Sequence, residues 1–231
     1  MFRRWQIIDD DGRRDVFVDS ESGDVRPGVK AQVDRDGGWP AFTQFVVRAP
    51  AGAVASSLHH VAATFDRRCT EVDPTELENG HVVVLAELSG LTLLTEPGIP
   101  FDSRFVTASS SEAIAESLGA TGVHFGHDPA AGTLHLTRFE AGEPDFSWCD
   151  SLEPGPAFAL DFHDDGRCTE CDPRRFALDR LDKPADASSL NRTAFVTSEL
   201  TALGLPTFDP EFEAIDPVAA YDLSSRARTR R

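Results

Sequence analysis

Long apolar segments are missing from this chain of 231 residues. No uninterrupted apolar stretch approaches the roughly 20 residues that a membrane-spanning helix needs. The apolar run near the N-terminus, residues 5–8, is too short for the core of a signal peptide. We therefore expect no membrane partner and a cytoplasmic location.

Cysteine and the familiar catalytic motifs are also scarce. The four cysteines are scattered along the chain, which favours reduced thiols over a disulfide framework. The sequence contains no P-loop, no G-x-G-x-x-G, no G-x-S-x-G and no H-E-x-x-H. These absences remove the usual sequence evidence for nucleotide binding or hydrolysis, and we expect no cofactor.

Basic charge is in short supply. Acidic residues outnumber Lys and Arg by 39 to 22, which gives a net charge of −17. Phosphate contacts need clustered Lys and Arg, so we expect no nucleic-acid partner for the folded part. The acidity has two interpretations: a solvated surface, as in a saline cytoplasm, or a face that binds a basic protein. The arginine-rich residues 224–231 run against the trend and predict a flexible basic tail.

Two apolar runs, residues 82–88 and 91–95, are separated by only two residues, Ser-Gly. This spacing predicts a β-hairpin in which Ala86 lies opposite Leu93. Both faces of the hairpin are largely apolar, which is typical of strands in the middle of a sheet that helices cover. We expect Leu85 and Leu93 to be buried on opposite faces.

Helical and strand patterns surround this hairpin. Helical spacing after residue 52 predicts a helix with Phe65 on its core face. Ser109 can cap a second helix, with Glu112 completing a capping box and Gly119 ending it. Further expected elements are strands at residues 121–125, 133–140 and 158–162, and a last helix at 188–203.

This succession predicts an α+β protein with a mixed or antiparallel sheet built on hairpins and about three helices packed against it. We expect residues 1–231 to form a single domain. Residues 1–41 form a β-rich N-terminal extension in this interpretation, because strand-like runs alternate there with Asp- and Gly-rich turns.

Cys168 and Cys171 form a C-x2-C motif, a spacing that can present two thiolates to zinc. Cys149 and His163 lie near enough in sequence to complete a tetrahedral set. A second C-x2-C pair is missing, and the flanking acids raise the pKa of a thiol, which opposes thiolate formation. Ordinary cysteines are the favoured interpretation, and a metal site is the alternative.

Three histidines, His124, His127 and His135, lie on or beside the predicted hairpin of residues 121–140. His124 and His135 can approach each other across the two strands. A small metal-dependent enzyme that uses this hairpin or the cysteine motif is therefore the second functional hypothesis. Cross-strand histidines without a ligand are the simpler interpretation, so we expect no bound metal.

Two acidic segments next to turns, residues 9–24 and 161–172, are the predicted faces for a basic partner. The residues expected to contact it are Asp9, Asp10, Asp11, Asp164 and Asp165. A non-enzymatic protein-binding factor is thus the leading hypothesis. It assigns no catalytic residue and leaves the oligomeric state open.

A short motif, R-C-T-E-x-D-P, occurs twice, at residues 68–74 and 167–173. The first copy follows a predicted helix and the second follows a strand and turn. The repeat therefore does not indicate a duplicated domain, and we interpret it as two similar loop entries.

Four stretches of the chain, in order, resemble an uncharacterised actinobacterial family, a domain of unknown function. They are FVVRAPAGAVASSL, VVVLAELSGLTLLTEPG, SEAIAESLGATGVHF with LTRFEAG, and SELTALGLPTFDPEF, and they span roughly residues 42–212. Residues 124–127, HFGH, depart from the Trp-Asn-rich strand typical of that family. The resemblance implies a fold and a bacterial cytoplasmic context, but no activity. Immunity proteins against secreted toxins have a similar acidic α+β character, an analogy at the level of fold.

Overall fold

The computed structural model describes residues 2–9, 12–19, 25–27, 42–74, 82–88, 90–96, 104–128, 133–151, 157–183, 190–204 and 217–224. The strand pairings between these residues are antiparallel, and four helices accompany them. The predicted α+β class with an antiparallel sheet is confirmed. No helix in the described ranges has the length and hydropathy needed to cross a bilayer.

The strands are β1 (Phe2–Asp9), β2 (Gly12–Asp19), β3 (Val25–Pro27), β4 (Phe42–Val47), β5 (Thr70–Val72), β6 (Val82–Leu88), β7 (Leu91–Thr95), β8 (Gly122–Asp128), β9 (Thr133–Glu140), β10 (Glu143–Ser151), β11 (Phe158–Phe162), β12 (Cys168–Cys171) and β13 (Pro217–Asp222). The helices are α1 (Ala51–Thr64), α2 (Ala108–Leu118), α3 (Pro173–Arg180) and α4 (Arg192–Ala202).

Two sheets contain these strands. The first has three strands in the order β1-β2-β3, which lie within the predicted N-terminal extension. The second has ten strands in the order β12-β11-β10-β9-β8-β4-β7-β6-β13-β5. Strands β5 and β12 are therefore the two outermost strands of the large sheet.

The central hairpin has the predicted register, with Ala86 opposite Leu93. Strands β6 and β7 lie inside the sheet, between β13 and β4, as their apolar faces predict. Leu85 is fully buried against α1, but Leu93, on the opposite face, is only half-buried. The prediction for Leu93 was too strong because this side chain packs at the margin of two separate core clusters.

Helices pack against both sides of the large sheet. We call the side that packs against α1 and α2 the α1 side, and the side that packs against α3 and α4 the α3 side. The core on the α1 side includes Phe45, Leu58, Leu85, Leu94, Ile114 and Phe139. The core on the α3 side includes Phe125, Leu136, Phe146, Trp148, Phe195 and Leu200. The helix pairs therefore stabilise the sheet from opposite sides.

Helices α1 and α2 each differ from the prediction at one end. Helix α1 stops at Thr64, and Phe65, predicted on its core face, is 43% exposed. Helix α2 begins earlier than expected because the hydroxyls of Thr107 and Ser110 form the capping box, in place of Ser109 and Glu112. The predicted stop of α2 at Gly119 is confirmed by its left-handed backbone, with φ of 57°.

Helix α3 was not predicted, although its start follows a familiar rule. The Asp172 carboxylate accepts a hydrogen bond from the Arg175 backbone N–H at 2.8 Å, and Pro173 occupies the first turn. Helix α4 begins later than expected, where the Asn191 side chain accepts from the Ala194 N–H at 2.9 Å. These caps place both helices over the strands that follow β9.

Candidate functional site

The predicted acidic face at residues 161–172 lies where β11 turns into the outermost strand, β12. Asp164 and Asp165 are both exposed in this turn. Asp165 accepts hydrogen bonds from the backbone N–H of Arg167 at 3.1 Å and from its guanidinium Nε at 2.6 Å. The Asp164 carboxylate therefore contributes its charge to the surface, while Asp165 also holds the turn.

Strand β12 presents backbone groups outward as well as charge. In an antiparallel ladder, alternate residues direct their N–H and C=O at the neighbouring strand, and the residues between them point away. The His163 N–H donates to the Arg167 carbonyl at 2.9 Å, which fixes this alternation next to the turn. Thr169 and Cys171 then bond to β11, whereas Cys168 and Glu170 direct their backbone groups away from it. Cys168, Thr169 and Glu170 are all exposed.

A groove of about 480 Å³ lies between β12 and helix α3 on the α3 side of the sheet. It is lined by Asp161, His163, Thr169, Cys171, Arg175, Phe176, Asp179 and Arg180. Thr169 Oγ1 forms a 2.9 Å hydrogen bond with His163 Nε2 at one end. The groove therefore runs directly beside the outermost strand and combines carboxylates with an aromatic ring.

The two arginines of the groove already have partners. The guanidinium of Arg180 bonds to Glu199 at 2.8 Å and lies 4.1 Å from the centre of the Phe146 ring. Arg175 lies 3.9 Å from Asp179, a weak surface pair with both side chains well exposed. Asp161 forms no ion pair within the described residues, and together with Asp179 it supplies the carboxylates of the groove.

The second predicted acidic face is described only in part. Asp9 ends β1 and pairs with Gly12 across the first hairpin. Asp10 and Asp11 lie outside the described residues. Of the five predicted contact residues, the structure therefore describes the side-chain surroundings of Asp164 and Asp165 alone.

The structure does not bring the four candidate zinc ligands together. Cys168 and Cys171 lie three positions apart on a strand, so their side chains point to opposite sides of the sheet. Cys149 is opposite Phe158 and Cys168 is opposite Phe162, which separates them by four residues along β11. Burial, followed by nearby carboxylates with Asp161 foremost, raises the pKa of the Cys171 thiol. This agrees with the predicted influence of the flanking acids.

The histidine hairpin separates into two sides. The rings of His124 and His135 stack with centroids 5.1 Å apart on the α1 side, so their predicted approach is confirmed. His127 is buried on the α3 side, because it is an odd number of residues from His124. Across the described residues, no group of three or more His, Cys, Asp or Glu side chains could hold a metal ion.

A buried hydrogen-bond chain ends at His124. Thr43 Oγ1 donates to the Val106 carbonyl at 2.8 Å and lies 2.8 Å from His124 Nε2. The Thr43 hydroxyl has only one proton, so Nε2 must donate to it and Nδ1 keeps a free lone pair. This Nδ1 has no hydrogen-bond partner among the described residues. Burial, with repulsion from His135, lowers the pKa of His124 and keeps its ring neutral.

Glu96, the residue after β7, joins the same hydrogen-bond chain and was not predicted to be buried. Its carboxylate accepts from the Val106 N–H at 2.6 Å, and the side chain is 2% exposed. Burial raises the pKa of Glu96 to about 7, against the opposing effect of two backbone hydrogen bonds and of Arg104. Glu96 stands out in the sequence as a carboxylate at the end of an apolar strand, but the exposed Glu87 stands out in the same way. The sequence cannot distinguish these two glutamates.

Comparisons with protein-family models, with curated proteins and with solved structures found no match for this chain. The assignment of a function therefore rests on the sequence and on the geometry of the described residues.

Proposed function

We propose that this chain is a non-enzymatic protein-binding factor, immunity-like or regulatory, which binds a basic protein through the acidic surface formed by the β11–β12 turn and strand β12. The observation that carries the proposal is the exposure of Asp164, Asp165 and Glu170 around the outermost strand of the sheet. Carboxylates in that position are accessible to a partner of opposite charge.

The overall charge supports the same kind of partner. A net charge of −17 repels nucleic acid and attracts basic proteins over distances of about a Debye length. Complementary charges act mainly on the rate of association, because they steer the encounter of the two proteins. We therefore expect added salt to slow association more than it accelerates dissociation.

The metal-dependent alternative has less support. Its two predicted ligand sets contain residues on opposite sides of the sheet, as found for His127 with His124 and for Cys168 with Cys171. A bacterial cytoplasmic setting remains part of the proposal and comes from the resemblance of the sequence.

A matched pair of charge variants tests the proposal. Both baits, D164N/D165N and E112Q/E116Q, lose two exposed carboxylates, but the second pair lies on helix α2. We expect a basic protein to be recovered from a host lysate with the native bait and with E112Q/E116Q, and at least about tenfold less with D164N/D165N.

The purified partner then supplies the kinetic test. Its association rate should fall at least about tenfold between roughly 50 and 300 mM salt. Recovery of nucleic acid alone, equal loss with both variants, or association that is indifferent to salt would each overturn the proposed function.

A further inference from the structure

Strand β12 offers the hydrogen-bonding groups that an additional strand needs. The backbone groups of Cys168 and Glu170 point away from β11, and β12 has no neighbour on that edge among the described strands. An exposed sheet edge of this kind pairs readily with an extended segment of another chain.

The groove beside β12 supplies a place for side chains of such a segment. The side chains of Thr169 and Cys171 line it, so residues opposite them on an added strand would point into the same space. Asp161 and the ring of Phe176 line the groove as well. The Asp161 carboxylate fits a guanidinium or ammonium group through an ion pair, whereas the Phe176 ring already has the Arg180 guanidinium 5.6 Å from its centre.

The charge of the edge decides between possible occupants. A second copy of the chain carries the same net charge of −17, and pairing through β12 would bring two acidic surfaces together. Repulsion between two molecules of the same high charge disfavours their association. The edge therefore opposes self-association and favours a basic segment from a different protein.

We propose that the partner contributes an extended segment, in which basic residues alternate with small ones, as an antiparallel strand on β12, with the basic side chains in the groove beside α3. This inference rests on the proposed function and specifies how the partner is held. The antiparallel direction continues the pairing found throughout the described part of the sheet.

This arrangement predicts which backbone amides of the segment matter. In an antiparallel pair, residues opposite Cys168 and Glu170 share their side of the sheet and exchange hydrogen bonds with them. Those residues are the small ones, because the basic residues lie opposite Thr169 and Cys171. The N–H groups of the basic residues point away from β12 and are not needed.

The test uses a short peptide of about eight residues in which threonine and arginine alternate, since threonine favours extended backbone. Two further peptides carry backbone N-methyl groups, one on every threonine and one on every arginine. We expect methylation of the threonines to weaken binding at least about tenfold and methylation of the arginines to change it less than about threefold. Fluorescence anisotropy with the full chain gives these affinities.

Hydrogen exchange measured by NMR locates the contact. The parent peptide at saturation should slow exchange of the Cys168 and Glu170 amides at least about tenfold and leave Glu71, on the opposite edge, unchanged. Equal binding of all three peptides, or unchanged exchange at Cys168 and Glu170, would overturn strand addition. If that binding still weakened with salt and with D164N/D165N, the proposed function would stand. If no peptide bound and the charge variants recovered the same proteins as the native bait, both proposals would fail.

Discussion

The two outermost strands of the large sheet, β5 and β12, contain the two copies of the R-C-T-E-x-D-P motif. Their local geometry is the same. The Arg68 N–H bonds to the Ser224 carbonyl at 2.8 Å, so Thr70 faces the ladder and Glu71 points outward, as Thr169 and Glu170 do in β12. Both copies of the motif therefore contribute to an edge strand, whereas the sequence interpretation was two similar loop entries.

The surroundings of the two copies differ. Cys69 is half-buried and packs against the core formed with α1 and α2. Cys168 occupies the same position of the motif on the same side of the sheet, but it is exposed. On the α1 side, helix α1 contacts β6 and β7 and helix α2 contacts β8, β9 and β10, whereas α3 contacts β10 and β11 on the opposite side. Accessibility thus depends on the helices and not on the motif.

The largest expected effect compares two leucines on the α1 side of the sheet. Leu85 is fully buried beneath α1, and Leu160 on β11 is half-buried. Leu85→Ala should lower the free energy of unfolding by about 2–5 kcal/mol, because it leaves a cavity. Leu160→Ala should lower it by about 1 kcal/mol or less. Urea unfolding of both variants checks this, and equal losses would contradict the difference in helix cover.

A smaller effect should appear as pH dependence of the helix-covered end. The pKa of Glu96 is raised from 4.5 to about 7 in the folded state. The folded chain therefore holds this proton more tightly than the unfolded chain does. Its contribution to stability is fully present below about pH 4.5 and is lost as the pH rises to about 7. The loss amounts to about 3 kcal/mol.

Glu96→Gln removes this titration while keeping an oxygen that can accept from the Val106 N–H. The unfolding free energy of the variant should change less between pH 5 and pH 7 than that of the native chain, by about 2–3 kcal/mol. Glu112→Gln, on the exposed surface of α2, is the matched control and should keep the native slope. A Glu96→Gln variant with the native slope would show that another group titrates in this range.

The sequence predicted the strands better than their environment. The central hairpin register followed from two apolar runs and a two-residue loop, which are local features. The sequence also allows the prediction that His124 and His127 lie on opposite sides of the sheet. Side chains alternate between the two sides along a strand, and these residues are three positions apart. The burial of Glu96 could not be predicted in this way. Its carboxylate bonds to Val106, which in turn bonds to Thr43, and Thr43 is distant in sequence. The groove beside β12 likewise requires the position of α3, which the sequence pattern did not predict.

The smallest expected effect compares the two motif cysteines directly. Burial, followed by the charge of Asp222, raises the pKa of Cys69 from 9.0 to about 11. At pH 8 this change lowers the thiolate fraction about a hundredfold, and the greater nucleophilicity of the more basic thiolate offsets part of it. Cys69 should therefore react with a thiol reagent at least about tenfold more slowly in the folded chain than in urea, while the exposed Cys168 should react at similar rates in both. Peptide mass spectrometry measures both sites in one molecule, and equal protection of the two cysteines would show that helices cover both ends of the α1 side.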